Sequence, residues 1–217
     1  MFKRLRQKIK TEWSPNLAYA IGLLTTDGNL SKDGRHIDLT SKDREQLENF
    51  LRCVEREVKI SFKYSGSGRQ YLRVQFSDVN FYEFLLNIGL KPNKTMTIGI
   101  VRVPLKYFFD FLRGHLDGDG SFFSYFDPRW KTSYMFYTNF SSASKTHINW
   151  LRKTLKKLLK IKGYISKSIK SSVYQLRYAK RESLLLLPKL YYNDRVVCLS
   201  RKRLKIQKAL GIINRKL

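Results

Sequence analysis

The hydrophobic and polar positions of this chain change period repeatedly, and the changes divide it into helices and strands. Over residues 44–56 the apolar positions Leu47, Phe50, Leu51 and Val54 recur at helical spacing, the stripe of a helix resting on a core. Residues 35–42 alternate instead: Ile37 and Leu39 face in, while His36, Asp38 and Thr40 face out, the period of a half-buried strand. Leu72, Val74 and Phe76 alternate in the same way with Tyr71, Arg73 and Gln75. Turn residues punctuate these runs. Asp33-Gly34 joins strands 28–32 and 35–42, and Gly66-Ser67-Gly68 joins strands 60–65 and 69–77, both being sequences that supply the backbone freedom of a hairpin. Ser14-Pro15 opens a helix that runs to about Asp27, with serine suited to the N-cap and proline to the first turn. Asp43 caps the helix of residues 44–56, and a short helix occupies 78–88.

The rest of the chain repeats the plan with a longer first hairpin. The pattern predicts a helix over 105–119, strands over 120–126 and 131–141, and a helix over 145–159. Strands over 162–169 and 173–180, a helix near 182–190 and a basic helix from 200 to about 212 follow. Aligning residues 72–76 with 174–178 preserves the alternation. The expected fold is α+β, two pseudo-symmetric αββαββα repeats. In each repeat, helices cover one face of an antiparallel sheet and leave the other wet. Residues 1–13 form a basic N-terminal arm, 14–88 the first repeat, 89–104 a linker and 105–217 the second repeat.

Charge sharpens the picture. Within 217 residues, 43 Lys and Arg face 17 Asp and Glu, a formal charge of +26, which marks a binder of polyanions. The division is uneven: 18 basic and 11 acidic residues precede Val103, and 25 and 6 lie from there on, giving +7 and +19. The second half is expected to hold its partner more electrostatically. A membrane surface is the competing polyanion, but the sequence has no run of about 18 apolar residues and spreads its basic residues over strands and helices alike. The basic N-terminus lacks the apolar core of a secretory signal. Cys53 and Cys198 are isolated, forming neither a zinc site nor a disulfide framework, as expected of an intracellular protein. His36, His115 and His147 fall on separate elements without ligand spacing and are assigned to packing or nucleic-acid contact.

One stretch occurs twice. Residues 20–28, AIGLLTTDG, overlay on residues 112–120, LRGHLDGDG, without a gap. The overlay pairs Gly22 with Gly114, Leu24 with Leu116, Asp27 with Asp119 and Gly28 with Gly120. Ala18, Gly22 and Thr26 recur on one helical face, and Gly114 and Gly118 answer them. Helices packed along these smooth strips would bring both aspartates side by side at their C-terminal ends. A carboxylate is disfavoured there by the helix dipole, so a cation is the expected companion. Singly, each Asp-Gly reads as a helix stop; as a repeated pair on glycine-bearing helices they read as a site. Asp117 pairs with Thr25 and is assigned to local structure.

With these motifs one domain-half apart, the chain resembles the LAGLIDADG homing endonucleases in their single-chain, two-repeat form, over nearly its whole length. The resemblance implies a monomeric, sequence-specific endonuclease that straddles a long asymmetric double-stranded DNA site with a basic saddle and needs no protein partner or membrane. It implies a staggered double-strand break with 3′ overhangs and a role in mobilising an intron; no intein segments flank the repeats, so the chain reads as free-standing. Asp27 and Asp119, with Gly28 and Gly120 beside them, are then the site of the divalent metal. Mg²⁺ is expected, with Mn²⁺ substituting and Ca²⁺ supporting binding without cleavage, because hard oxygen ligands suit all three and Ca²⁺ tolerates looser geometry. Lys94 and Lys202, each after a short helix, are expected to stabilise charge or organise water near the scissile phosphate; solvated lysines are the competing reading. Arg35, Asp38, Arg73, Gln75, Tyr137, Asn139, Gln175 and Arg177 are expected on strand faces along the major groove. Lys167, Lys170, Lys180, Arg201, Lys205 and Lys208 are expected to meet phosphates. The rival reading is a non-cleaving nucleic-acid-binding protein on the same scaffold, an intron RNA maturase or a DNA-binding regulator.

Overall fold

The computed structural model of the protein describes residues 8–64, 66, 68–168 and 172–217. The first repeat runs α1 (Pro15–Thr26), β1 (Gly28–Leu30), β2 (His36–Ser41), α2 (Arg44–Cys53), β3 (Ser61–Tyr64), β4 (Gln70–Ser77) and α3 (Val79–Asn87). The second runs α4 (Phe108–Asp117), β5 (Ser121–Asp127), β6 (Trp130–Ser142), α5 (Lys145–Leu159), β7 (Tyr164–Lys167), β8 (Tyr174–Ala179) and α6 (Lys180–Leu190), followed by α7 (Ser200–Ile212). The two antiparallel sheets have the same order, β1-β2-β4-β3 and β5-β6-β8-β7. Their registers also correspond, Asp38 opposite Gln75 in one and Asn139 opposite Arg177 in the other.

The predicted duplication is thus present, and its centre is the pair of motif helices. Residues 17–25 of α1 are all buried, as befits a helix without a polar stripe. Its start follows the expected chemistry: Ser14 Oγ accepts from Leu17 N at 3.1 Å and Pro15 occupies the first turn. Glycine sets how closely α1 and α4 approach. A Cβ on Gly22 would overlap the Phe111 carbonyl oxygen, and one on Gly114 would overlap that of Tyr19.

Several boundaries differ from the pattern. A 3₁₀ turn over Leu105–Tyr107 precedes α4, and the helix ends at Asp117, two residues before Asp119. Asp43 stands at the N-cap of α2, but its carboxylate holds Arg201 of α7 at 2.5 Å and makes no side-chain cap bond. The linker is docked on both repeats: Arg102 N donates to the Ile88 carbonyl at 2.8 Å, and Ile98 is buried with its carbonyl accepting from Ser144 Oγ at 2.5 Å. The described part of the N-terminal arm packs on the first repeat, with Ile9 buried and its N–H donated to Asp78 Oδ2 at 3.1 Å. Among the described residues no helix is long and apolar enough to cross a membrane.

Candidate metal centre and nucleic-acid interface

Both motif helices lead into an aspartate at the same end of the pair. Asp27 is the C-cap of α1, its N–H bonded to the Leu23 carbonyl at 2.9 Å. Gly118 turns the chain out of α4, its N–H bonded to the Gly114 carbonyl at 3.0 Å, and Asp119 follows. Gly118 is pressed against the end of α1: a Cβ there would overlap Thr26 Oγ1 and stand 2.8 Å from Asp27 Oδ2. The strip of small residues therefore brings the two carboxylates together, and their charges interact. Burial, and then the charge of Asp119, push the Asp27 carboxyl up to about 6. Asp119 is open to solvent on one side, while protein crowding on the other raises its pKa and Lys94 and Lys202 pull it back.

The two lysines are related by the same duplication. Lys94 is buried and donates to the Gly28 carbonyl; Lys202 is buried and donates to the equivalent Gly120 carbonyl at 2.7 Å. Lys202 also donates to the carbonyls of Leu116 at 2.5 Å and Asp117 at 2.8 Å, so an ammonium satisfies oxygens that the end of α4 leaves without helical partners. Burial lowers both lysines to about 8, against the pull of the acids: Asp27, Asp119 and Asp38 around Lys94, and Asp117 and Asp27 around Lys202. Solvated surface lysines are excluded by this burial.

Gln46 joins the site without having been anticipated. Its Nε2 donates to Asp27 Oδ2 at 2.7 Å, and Ser41 Oγ donates to its Oε1 at 3.0 Å. The corresponding position in the second repeat, three residues past the helix cap, is His147, and it behaves differently. His147 Nδ1 lies 2.8 Å from the Gly99 carbonyl, and its ring stacks on His115 with centroids 5.2 Å apart. The histidines placed on separate elements by sequence thus include a buried pair, and α5 turns His147 inward, away from solvent. Asp117 is buried and serves structure: its Oδ2 accepts from Tyr19 OH and Leu199 N, both at 2.8 Å.

A divalent cation fits this donor set. Two adjacent carboxylates, one with its pKa raised by burial and then by the other's charge, are negative charge in want of a counter-ion, and the Gly28 and Gly120 carbonyls are further hard oxygens beside them. Among the described residues no group of three or more His, Cys, Asp or Glu side chains could hold a metal. An ion here would rely on the two carboxylates, water and substrate oxygens, a mode that suits Mg²⁺.

The expected interface residues divide. Arg73, Gln75, Tyr137, Gln175 and Arg177 lie half-buried on the strand faces turned away from the core. Asp38 and Asn139 share those faces but are only 6% and 3% exposed, contrary to the solvated face expected of them. They occupy matching central positions flanked by strands on both sides, and Asn139 Nδ2 donates to Ser121 Oγ at 3.1 Å. Arg35 precedes β2 in an exposed turn beside Asp33, rather than lying on the strand. Lys167 pairs with Tyr174 and alternates with Ser166, so it shares the core-side face with Ile165 and Leu176. Lys180 begins α6 and donates to the Tyr134 carbonyl at 2.9 Å. Lys205 and Lys208 are exposed along α7, while Arg201 is engaged with Asp43. Lys170 lies outside the described residues. Phe123, which the sequence reading missed, completes the second face: it stacks on Tyr137 at 5.0 Å, and the Arg177 guanidinium lies 5.6 Å from each ring.

Two αββαββα repeats joined through paired motif helices, each ending beside an aspartate, constitute the LAGLIDADG fold in its single-chain form. The homing endonuclease I-WcaI bound to its DNA recognition sequence has this fold, with a TM-score of 0.65 over 91% of this chain and 89% of that one, at 12% identity. I-SmaMI bound to an uncleaved DNA target in the presence of calcium ions gives 0.62 over 94% and 92%, at 14% identity. Full-length DUF199/WhiA from Thermatoga maritima gives 0.58 at 16% identity over 93% of this chain, which spans 61% of that longer protein. No protein-family model and no curated protein matches the sequence.

Proposed function

We propose that the protein is a monomeric, intracellular, sequence-specific DNA endonuclease that makes a staggered double-strand break in a long asymmetric duplex site. The observation that carries this reading is the repeated acid–lysine arrangement: Asp27 and Asp119 adjacent at the ends of crossed helices, each with a buried lysine anchored on the glycine that follows it. Asp27 and Asp119 would hold the divalent ions, Mg²⁺ by preference. Bound there, the metal supplies an activated water and stabilises the leaving oxygen of the phosphodiester. Gln46 fixes the orientation of the Asp27 carboxylate. Lys94 and Lys202 keep positive charge beside the acids, where negative charge gathers on the phosphate as it is attacked. The charge of +26 supplies affinity for the duplex backbone.

The non-cleaving reading keeps one observation in its favour: lysine ammoniums already engage the Gly28 and Gly120 carbonyls, which reduces what those oxygens offer a metal. A randomised duplex library incubated with the protein and Mg²⁺, Mn²⁺ or Ca²⁺ tests the proposal, with broken ends sequenced and bound duplexes recovered separately. Cleaved ends converging on one site with Mg²⁺ or Mn²⁺, and binding alone with Ca²⁺, are expected. Bound duplexes with no breaks in Mg²⁺ or Mn²⁺ would leave the non-cleaving reading standing.

A further inference from the structure

The faces that the two sheets turn away from their helices differ at matching positions. In the first sheet, Ser31 N donates to the His36 carbonyl at 2.9 Å, and the His36 ring engages Asp33. The positions equivalent to Ser31 and His36 are Phe123 and Tyr137, opposite each other in the register, and the longer second hairpin adds Tyr125 on the same face, where the first has already turned. These three rings are nearly parallel, with interplanar angles of 7° to 18° and centroids 5.0, 6.3 and 6.4 Å apart. Phe123 and Tyr137 approach each other most closely, and the Arg177 guanidinium lies 5.6 Å from the centroid of each ring. What remains to meet a partner is a cluster of apolar ring edges standing on a sheet of a strongly basic protein; Tyr125 is 40% exposed.

Every base pair offers hydrogen-bonding groups to the major groove, but only thymine offers an apolar one, its 5-methyl. Aromatic ring edges gain free energy by covering such a group. We propose that Phe123, Tyr125 and Tyr137 make the second sheet a reader of pyrimidine 5-methyl groups, so that the half-site beneath it is selected for thymines, while the polar first sheet selects its half-site by hydrogen bonds. This inference rests on the duplex-DNA reading and names what one half of that site contains.

The test uses the full chain and a duplex selected by binding in Ca²⁺, with each thymine replaced singly by deoxyuridine, which removes the methyl and nothing else. Covering one methyl is worth about fourfold in affinity. A loss of about that size at several thymines, confined to one half of the site, is expected, together with its disappearance in Tyr125→Ser and in Tyr137→Ser. Restoring the methyl by placing 5-methylcytosine at a cytosine of that half should tighten binding. A uracil profile flat over both halves of a tightly bound site overturns the inference and leaves the DNA reading intact. So does a penalty unchanged in both variants. Failure to select any duplex overturns both.

Discussion

Ser31 and His36 of the first repeat and Phe123 and Tyr137 of the second occupy matching places, since Ser31 N donates to the His36 carbonyl where Phe123 pairs with Tyr137, yet one pair is polar and the other aromatic. Behind the sheets the reverse holds. Gly22 and Gly114, Asp27 and Asp119, and Lys94 and Lys202 coincide in place and chemistry. The glycines face each other across one helix crossing, and both acids contribute to one site, so neither copy can change without the other. In the proposed complex each sheet face would meet its own half of the duplex and be free to diverge. The exception lies between these zones: Gln46 grips Asp27, while its counterpart His147 turns to His115 and makes no hydrogen bond to Asp119 among the described residues. The site is symmetric in its charges and asymmetric in its supports.

The largest expected effect breaks the halves apart by charge. A saddle contacting roughly 6 to 10 phosphates loses about 10³ to 10⁵ in affinity between 50 and 200 mM salt. With +19 in the second half against +7 in the first, most of that slope is assigned to the second. Replacing Lys205 and Lys208, both exposed on α7, with glutamine should lower the slope by about two. The same change at Lys32 and Lys63, exposed in the first half, should lower it less. Titrations at four salt concentrations decide it; equal slopes for the two pairs would remove the electrostatic contrast between the halves.

Next in size is the aspartate pair of the proposed active site. Asp27→Asn and Asp119→Asn should each lower double-strand cleavage by roughly 10³-fold or more, several kcal/mol of charge stabilisation at the reacting phosphate, while leaving binding in Ca²⁺ nearly unchanged. Plasmid assays that resolve nicked from linear product sharpen the comparison. Because Asp27 is held by Gln46 and Asp119 has no such partner among the described residues, Gln46→Ala should slow one nick more than the other. Equal slowing of both nicks would mean that Gln46 supports the pair as a unit.

A third experiment strikes what the halves share. Gly22→Ala and Gly114→Ala would each push a methyl into a carbonyl oxygen of the opposite helix and should cost about 1 to 3 kcal/mol, the range for overpacking a core. Denaturant titration of each variant measures this. A loss at one glycine alone would show that the crossing yields on one side.

The order of elements was legible from periodicity because each repeat alternates clear helix and strand patterns, and α5 and α7 start and stop where the pattern places them. Asp27, Asp119, Lys94 and Lys202 were legible because duplication states each of them twice. Gln46 was hidden for the converse reason: its counterpart is His147, so comparison of the repeats erases it, and only its place on the inward side of α2 beside Leu47 could have raised it. The burial of Asp38 and Asn139 was not legible because alternation tells which face a residue is on, not whether its lateral neighbours cover it. The stacking of His115 on His147 joins residues on different helices, and no local spacing encodes such a meeting.

That histidine pair gives the smallest predicted effect and the cleanest probe of the halves' divergence. Burial holds His115 well below the usual histidine range, with His147 adding to the shift; burial and the nearby Lys94 hold His147 down to about 4. An unfolded histidine titrates near 6.5. Below that value the unfolded chain takes up protons that the folded pair refuses, so the stability the neutral rings contribute is lost as pH falls from about 6.5 towards 4. The loss can reach about 1.4 kcal/mol per pH unit for each group. Asp27 and Asp117, raised to about 6, act in the opposite sense, since the folded chain binds their protons first. The whole-protein profile therefore mixes the two signs. His147→Gln separates them by installing the first repeat's residue at the matching position. Its lost ring packing against Trp150, where the centroids are 5.2 Å apart, costs the same at every pH, whereas the proton-linked loss is removed. Measured by denaturant titration, the stability difference between wild type and variant should narrow from pH 7 to pH 5. A constant difference over that interval would mean that the pair already carries its protons in the folded state.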